Sequence, residues 1–146
     1  MYKEVILKKN KEESILRRHP WIFSGAIDLI DEEIVDGDIV SIYDSRKRFL
    51  AIGHFQNATI AVRIVSFEER EINQKFFTQK LGDAIQLRRN LGLFSSDNSI
   101  CRLVHGEGDG LPGLIIDYYN GVTVIQCHSI GMYRCIGDIS LALQTI

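Results

Sequence analysis

The sequence predicts an α+β protein: an N-terminal β pseudo-barrel followed by a small, incomplete α/β domain of one helix, a three-stranded antiparallel meander and a second helix. Two observations predict this class. Short β-branched runs separated by turn residues fill residues 1–66, whereas helical spacings flank a second group of strands in residues 67–146. We therefore expect two domains with these bounds.

The pseudo-barrel is predicted from a first strand at 2–8, a short helix and three further strands. Asn10 is the expected N-cap of that helix, which ends before Pro20. The further strands are expected at 38–43, 49–53 and 59–65. Short, closely spaced strands are typical of a small barrel that hides its own edges.

The second domain begins with a helix expected from Asn73 to Gly92, with polar residues 95–99 after it. One face of this helix is expected to be buried, through Phe77, Leu81, Ala84, Ile85 and Leu91. Three strands follow at 101–105, 114–119 and 122–126, the last two joined by the hairpin signal Asn120–Gly121.

A final amphipathic helix is predicted over 132–146, where apolar residues recur at steps of four and three. Because the chain stops on this helix with Ile146, we expect a fragment of a longer protein. Its apolar face would then be exposed and would promote self-association.

The loop His105–Gly113 contains a G-x-G-x-x-G pattern. That pattern binds a nucleotide only where it opens a helix, whose N–H groups then face the phosphates. Here it leads into the β-branched run 114–119, and Pro112 removes one N–H group. We therefore interpret the loop as a turn between two strands.

Composition excludes several classes of protein. The chain has 146 residues, 45% hydrophobic and 25% charged, and contains no apolar run long enough for a membrane span and no signal peptide. Cys101, Cys127 and Cys135 are odd in number without C-x-x-C spacing, and His54 and His128 lack a set of neighbouring ligands. We expect a cytoplasmic protein without disulfides and without a metal site.

Charge is segregated along the chain although the net charge is only −2. Lysine and arginine crowd the first twenty residues, acidic residues fill 28–44, and Arg46, Lys47 and Arg48 follow. Such segregation can build a basic face for a polyanion, or it can describe solvated loops. The two readings stay open from charge alone.

Two stretches, LRRHPWIFSGAI at 16–27 and CRLVHGEGDGLPGLIID at 101–117, resemble signatures of a family of S-adenosylmethionine (SAM)-dependent methyltransferases that methylate cytosine C5 in large-subunit ribosomal RNA. The resemblance runs along nearly the whole chain. It implies an RNA-binding PUA domain at 1–66 and the start of the family's central domain at 67–146. The family's catalytic, SAM-binding Rossmann-like domain would be absent from this sequence, so we expect the chain alone to be inactive.

The resemblance, together with residue chemistry, selects candidate RNA-binding residues around the first helix. They are Arg17, Arg18, His19, Trp21, Ser24, Gly25 and Arg63. Guanidinium groups bind phosphate and aromatic rings stack on unpaired bases. Against this, Trp21 and Phe23 are expected mainly as core residues, and Arg63 fits equally well as the polar side of an alternating strand.

No catalytic, cofactor-binding or metal-binding residue is predicted in this chain. The cysteines are expected to pack as small apolar groups. Asp109 is expected to stabilise the glycine-rich turn, and Glu107 to pair with Arg102 across the hairpin.

The sequence thus predicts the RNA-recognition region of a SAM-dependent ribosomal RNA (cytosine-C5) methyltransferase, acting in ribosomal RNA processing. The expected partner is structured RNA, of the large ribosomal subunit, with no membrane association. The alternative is a standalone PUA-type RNA-binding or ribosome-assembly module without catalytic activity.

Overall fold

The computed structural model describes residues 2–93 and 98–146. The chain divides into two compact units, Met1–Arg70 (the N-terminal unit) and Glu71–Ile146 (the C-terminal unit). The predicted domain bounds, 1–66 and 67–146, stay a prediction.

The N-terminal unit is a curled six-stranded sheet in the order β2-β6-β5-β4-β1-β3. Its strands are β1 Lys3–Leu7, β2 Trp21–Phe23, β3 Ile27–Ile30, β4 Ile39–Tyr43, β5 Phe49–Phe55 and β6 Ile60–Ser66. The pair β1–β4 is parallel and the other pairs are antiparallel. Alternate side chains such as Val5, Val40 and Val62 point into one apolar core.

Three details of this unit differ from the sequence prediction. Strands β2 and β3 were not predicted, and they leave the sheet with two edges instead of a closed barrel. Helix α1 covers only Glu13–Leu16 and its N-cap is Glu12, because Asn10 adopts a positive φ of 62° in the preceding turn. Phe23, predicted in the core, has 48% of its surface exposed because it lies on an edge strand.

The C-terminal unit packs helix α2, Gln74–Asn90, against a three-stranded sheet and helix α4, Ile136–Gln144. The sheet has the order β7-β8-β9, with β7 Ile100–His105, β8 Leu114–Tyr119 and β9 Val122–Cys127, all antiparallel. The predicted α+β class is confirmed. The expected N-cap is also present, since Asn73 Oδ1 accepts a hydrogen bond from the Phe76 N–H at 3.1 Å.

Two details of the C-terminal unit differ from prediction. Leu91 is 64% exposed, because α2 ends before it and Gly92 turns the chain away with φ 68°. A single helix was predicted over 132–146, but the structure has two helices, α3 at Ile130–Arg134 and α4. The helix is interrupted at Cys135, which lies between them. Of the expected polar stretch 95–99, residues 95–97 lie outside the described residues.

Candidate nucleic-acid interface

The basic end of the candidate interface lies where α1 stops. Arg18 ends this helix with φ 64°, and its guanidinium carbon lies 4.8 Å from the centre of the Phe67 ring. Arg17 forms an i,i+4 ion pair with Glu13, and both side chains are largely exposed. Exposed pairs of this kind are weak, so Arg17 can exchange Glu13 for a phosphate at little cost.

His19 and Trp21 form the next part of the interface. The Trp21 N–H donates to His19 Nδ1 at 3.2 Å, and the two rings meet edge to face with centroids 5.9 Å apart. Trp21 is half-buried, so it is neither the core residue expected nor a fully open stacking platform.

Arg63 lies beside Trp21, because the two residues are register partners on β6 and β2. The Arg63 Nη1 donates to Gln56 Oε1 at 3.2 Å, and the side chain is half-buried. Arg63 therefore contacts the β5–β6 hairpin as well as the candidate interface.

Ser24 and Gly25 lie beyond the other end of β2, in a short 3₁₀ turn at Ser24–Ala26. The Ser24 N–H donates to the Thr59 carbonyl at 3.0 Å, which ties the turn to the β5–β6 hairpin. The ammonium of Lys8 donates to the Gly25 carbonyl at 3.0 Å and so brings a cation to this loop. Sequence reasoning missed Lys8, whose only signal was its place in the lysine-rich start of the chain.

The candidate residues thus follow edge strand β2 in one line. Arg17, Arg18 and His19 precede the strand, Trp21 and Arg63 lie side by side within it and its neighbour, and the Ser24–Ala26 turn follows. With Lys8, the line carries four cationic side chains and the exposed rings of His19 and Phe23. Such a surface can bind phosphates and stack on a base.

The second basic cluster, Arg46, Lys47 and Arg48, lies in a turn that two ion pairs stabilise. Arg48 pairs with Asp44 at 2.6 Å and Lys47 pairs with Glu4 at 2.6 Å. Hydrogen bonds from the backbone and side chain of Arg48 keep the pKa of Asp44 below 3.8. Two of these three cations therefore already have carboxylate partners.

The glycine-rich loop is a structural connection. Two of its N–H groups are used internally, because Gly110 donates to the Glu107 carbonyl and Leu111 to the Gly106 carbonyl, each at 3.0 Å. The predicted pairing of Glu107 with Arg102 is wrong: Arg102 pairs with Asp117 at 2.8 Å, its register partner on β8.

Asp109 anchors the loop to α2. Its carboxylate accepts two hydrogen bonds from Arg88, one of them at 2.8 Å, and one from the His105 N–H at 2.6 Å. Burial opposes ionisation of Asp109, but the hydrogen bonds from Arg88 and His105 prevail and keep its pKa below 3.8. This geometry fits the turn-stabilising role expected of Asp109.

Two of the three thiols lie in surroundings that disfavour the reactive thiolate. Burial raises the pKa of Cys127, and burial with the nearby Asp138 carboxylate raises that of Cys135 to about 11. Both are therefore neutral thiols at physiological pH.

Across residues 2–93 and 98–146, histidine, cysteine and carboxylate side chains form no group of three that could hold a metal ion. No helix within those ranges is long and apolar enough to span a membrane.

Comparison with known proteins first defines the class of the N-terminal unit. Residues 5–67 match the model of a PUA-like domain. The N-terminal unit is thus a PUA-like domain, as the resemblance implied.

The whole chain is similar to one group of enzymes. It is 38% identical over 146 residues to ribosomal RNA large subunit methyltransferase I of Salmonella paratyphi C and of Salmonella newport. The chain spans 36% of the length of these ribosomal RNA methyltransferases.

Solved structures share the fold. A proposed SAM-dependent methyltransferase from Streptococcus mutans superimposes with a TM-score of 0.82 at 18% identity, covering 97% of this chain and 37% of that one. A proposed methyltransferase in complex with SAH gives the same TM-score at 17% identity. At such low identity the likeness concerns the fold alone.

Proposed function

We propose that this chain is the RNA-recognition region of a SAM-dependent ribosomal RNA methyltransferase that modifies cytosine C5. One observation carries the RNA-binding part: a PUA-like domain presents cationic and aromatic side chains along one edge strand, β2. The proposed partner is structured RNA of the large ribosomal subunit, and the proposed place of action is the cytoplasm, in ribosomal RNA processing.

The cytosine-C5 assignment is supported by the resemblance of residues 16–27 and 101–117 to that family's signatures. Methylation at this carbon needs a thiolate that adds to C6 of the base. We propose no catalytic residue, no SAM-binding residue and no metal ligand in this chain. This chain matches 36% of the length of such enzymes, and we assign methyl transfer to the remainder of their sequence.

The RNA interface is tested by removing two cations together, Arg17→Gln and Arg18→Asn. Asparagine tolerates the positive φ of residue 18, so the backbone turn is preserved. We expect weaker binding to a structured fragment of large-subunit ribosomal RNA. The slope of log affinity against log salt should fall by about two, since each lost phosphate contact removes roughly one.

The matched control removes two exposed cations from α2, by Lys75→Gln and Arg89→Gln. It changes the net charge equally but leaves the β2 edge intact, so its salt slope should stay close to that of the parent. Parent-like affinity of the Arg17/Arg18 variant at every salt concentration would show that the RNA face lies elsewhere. Arg46, Lys47 and Arg48 would then be tested next.

A further inference from the structure

A cleft of 240 Å³ opens in the N-terminal unit between the Ser24–Ala26 turn, strand β3 and the β5–β6 hairpin. Pockets for drug-sized ligands typically measure about 300–1,000 Å³. The cleft therefore suits a group the size of one planar ring system, not a whole nucleotide cofactor. None of the candidate RNA-binding residues except Ser24 lines it.

The walls of the cleft combine apolar faces with polar edges. Ile27 and Phe55 provide apolar surface, and Ser24, Gln56 and Asn57 provide hydrogen-bonding groups. An aromatic base has the same division, with apolar faces and a polar rim. The lining thus matches a nucleobase better than a purely aliphatic or purely charged ligand.

The polar edge is held in place by two contacts. Arg63 has only donors, so its 3.2 Å hydrogen bond fixes the oxygen of the Gln56 amide toward it and leaves the amide NH₂ available. The Asn57 N–H donates to Asp36 Oδ1 at 2.6 Å, which fixes the hairpin turn that carries the Asn57 side chain. Arg63 is in this way a positioning residue for the cleft.

Asp28 sets the charge of the cleft. Its side chain is exposed and forms no ion pair with any residue in the described ranges 2–93 and 98–146. A carboxylate repels phosphate and carboxylate ligands but accepts hydrogen bonds from an exocyclic amino group, as in contacts to cytosine N4. The carboxylate of Asp28 would be repelled by the two carbonyl oxygens of uracil.

We propose that this cleft holds one unpaired RNA base that carries an exocyclic amino group. The proposal rests on the proposed RNA-binding function, and it adds a base-selective site at the loop end of β2. The RNA phosphates bind along the cationic residues that precede β2. One base, turned out of the RNA strand, enters the cleft.

The test compares short single-stranded oligonucleotides of cytidine and of uridine, equal in length, bound to the full chain. The two bases have the same ring size. They differ at C4, where cytosine has an amino group and uracil a carbonyl, and at N3, which accepts a hydrogen bond in cytosine and donates one in uracil. We expect the cytidine oligonucleotide to bind at least about fivefold more tightly, the lower end of the range for one good base contact.

Two variants locate this preference. Asp28→Asn should reduce it to about twofold or less, because an amide also donates to the uracil carbonyl. Ala58→Leu, at an exposed turn position that lines the cleft, should abolish it by filling the space. Glu32→Gln is the control: it removes one exposed negative charge outside the cleft and should keep the preference. Melting curves of all three variants verify that each is folded.

Equal binding of cytidine and uridine by the parent, or binding of neither, would overturn the cleft proposal. Preference retained in folded Ala58→Leu would also overturn it, because the base would then bind outside the cleft. The proposed RNA function is judged separately, by the salt dependence of structured RNA in the Arg17/Arg18 variant.

Discussion

His54, at the scale of single residues, couples the stability of the protein to pH. It lies on β5 with only 2% of its surface exposed, and burial lowers the pKa of its imidazole from 6.5 to about 4. The folded chain therefore keeps His54 neutral at pH values where an unfolded chain protonates it. Its contribution to stability is fully present above pH 6.5 and is lost as pH falls toward 4.

We predict that the free energy of unfolding falls by about 3 kcal/mol between pH 6.5 and 4 on account of His54. His54→Gln should flatten this part of the profile, measured by urea unfolding at several pH values. His128→Gln changes an exposed histidine and should leave the slope unchanged. The carboxylates of Asp44, Asp109 and Asp117 have pKa values below 3.8, so their contributions are lost at lower pH. An unchanged slope in His54→Gln would refute the assignment.

At the scale of elements, one buried ion pair joins the glycine-rich loop to α2. The Arg88 and Asp109 side chains are only 11% and 5% exposed, and Arg88 also donates to the Arg102 carbonyl at 3.1 Å. Removing one partner of such a pair leaves an uncompensated buried charge. The loop geometry therefore depends on a contact between residues that are far apart in the sequence.

Asp109→Asn should destabilise the chain by about 3 kcal/mol, in line with other broken buried pairs. Glu107→Gln, at an exposed position of the same loop, should cost far less. RNA affinity should stay nearly unchanged in both variants, because neither residue belongs to the β2 edge. Thermal melting and RNA titration measure the two effects, and a loss of RNA binding by folded Asp109→Asn would contradict the structural role.

At the scale of the whole molecule, the apolar face predicted for the terminal helix is buried at Met132 and Ile139, but other large apolar side chains are exposed near it. Tyr133, Leu141 and Ile146 are exposed in or next to the terminal helices, and Val122 is exposed on edge strand β9. Exposed apolar side chains commonly mark an interaction site where they form one patch. We propose that it supports self-association of this chain.

Sedimentation velocity should therefore show association that increases with protein concentration. Leu141→Lys combined with Ile146→Lys should shift the chain toward monomer, because charge opposes burial of this surface. Val35→Lys, at an exposed apolar position of the N-terminal unit, is the control and should not change the distribution. A single monomeric species at every concentration of the parent would disprove the proposal.

Features that depend on neighbours along the chain could be predicted from the sequence. Asn73 caps α2 through its own first turn, and Asn120–Gly121 forms the hairpin turn with φ values of 44° and 94°. The α+β class and the family resemblance could also be predicted from the sequence. Strand and helix periodicities and contiguous motifs are local patterns. The roles of Arg17, Arg18 and the other candidate RNA-binding residues stay predictions.

Features that depend on the register between distant segments became apparent in the folded chain. Arg102 pairs with Asp117 and not with Glu107, because cross-strand partners are set by how β7 and β8 align. Strand β2, three residues long, exists through its pairing with β6, and that pairing exposes Phe23 and sets Trp21 beside Arg63. Lys8 reaches Gly25 for the same reason: short segments are ordered by their partners, which local sequence patterns do not specify.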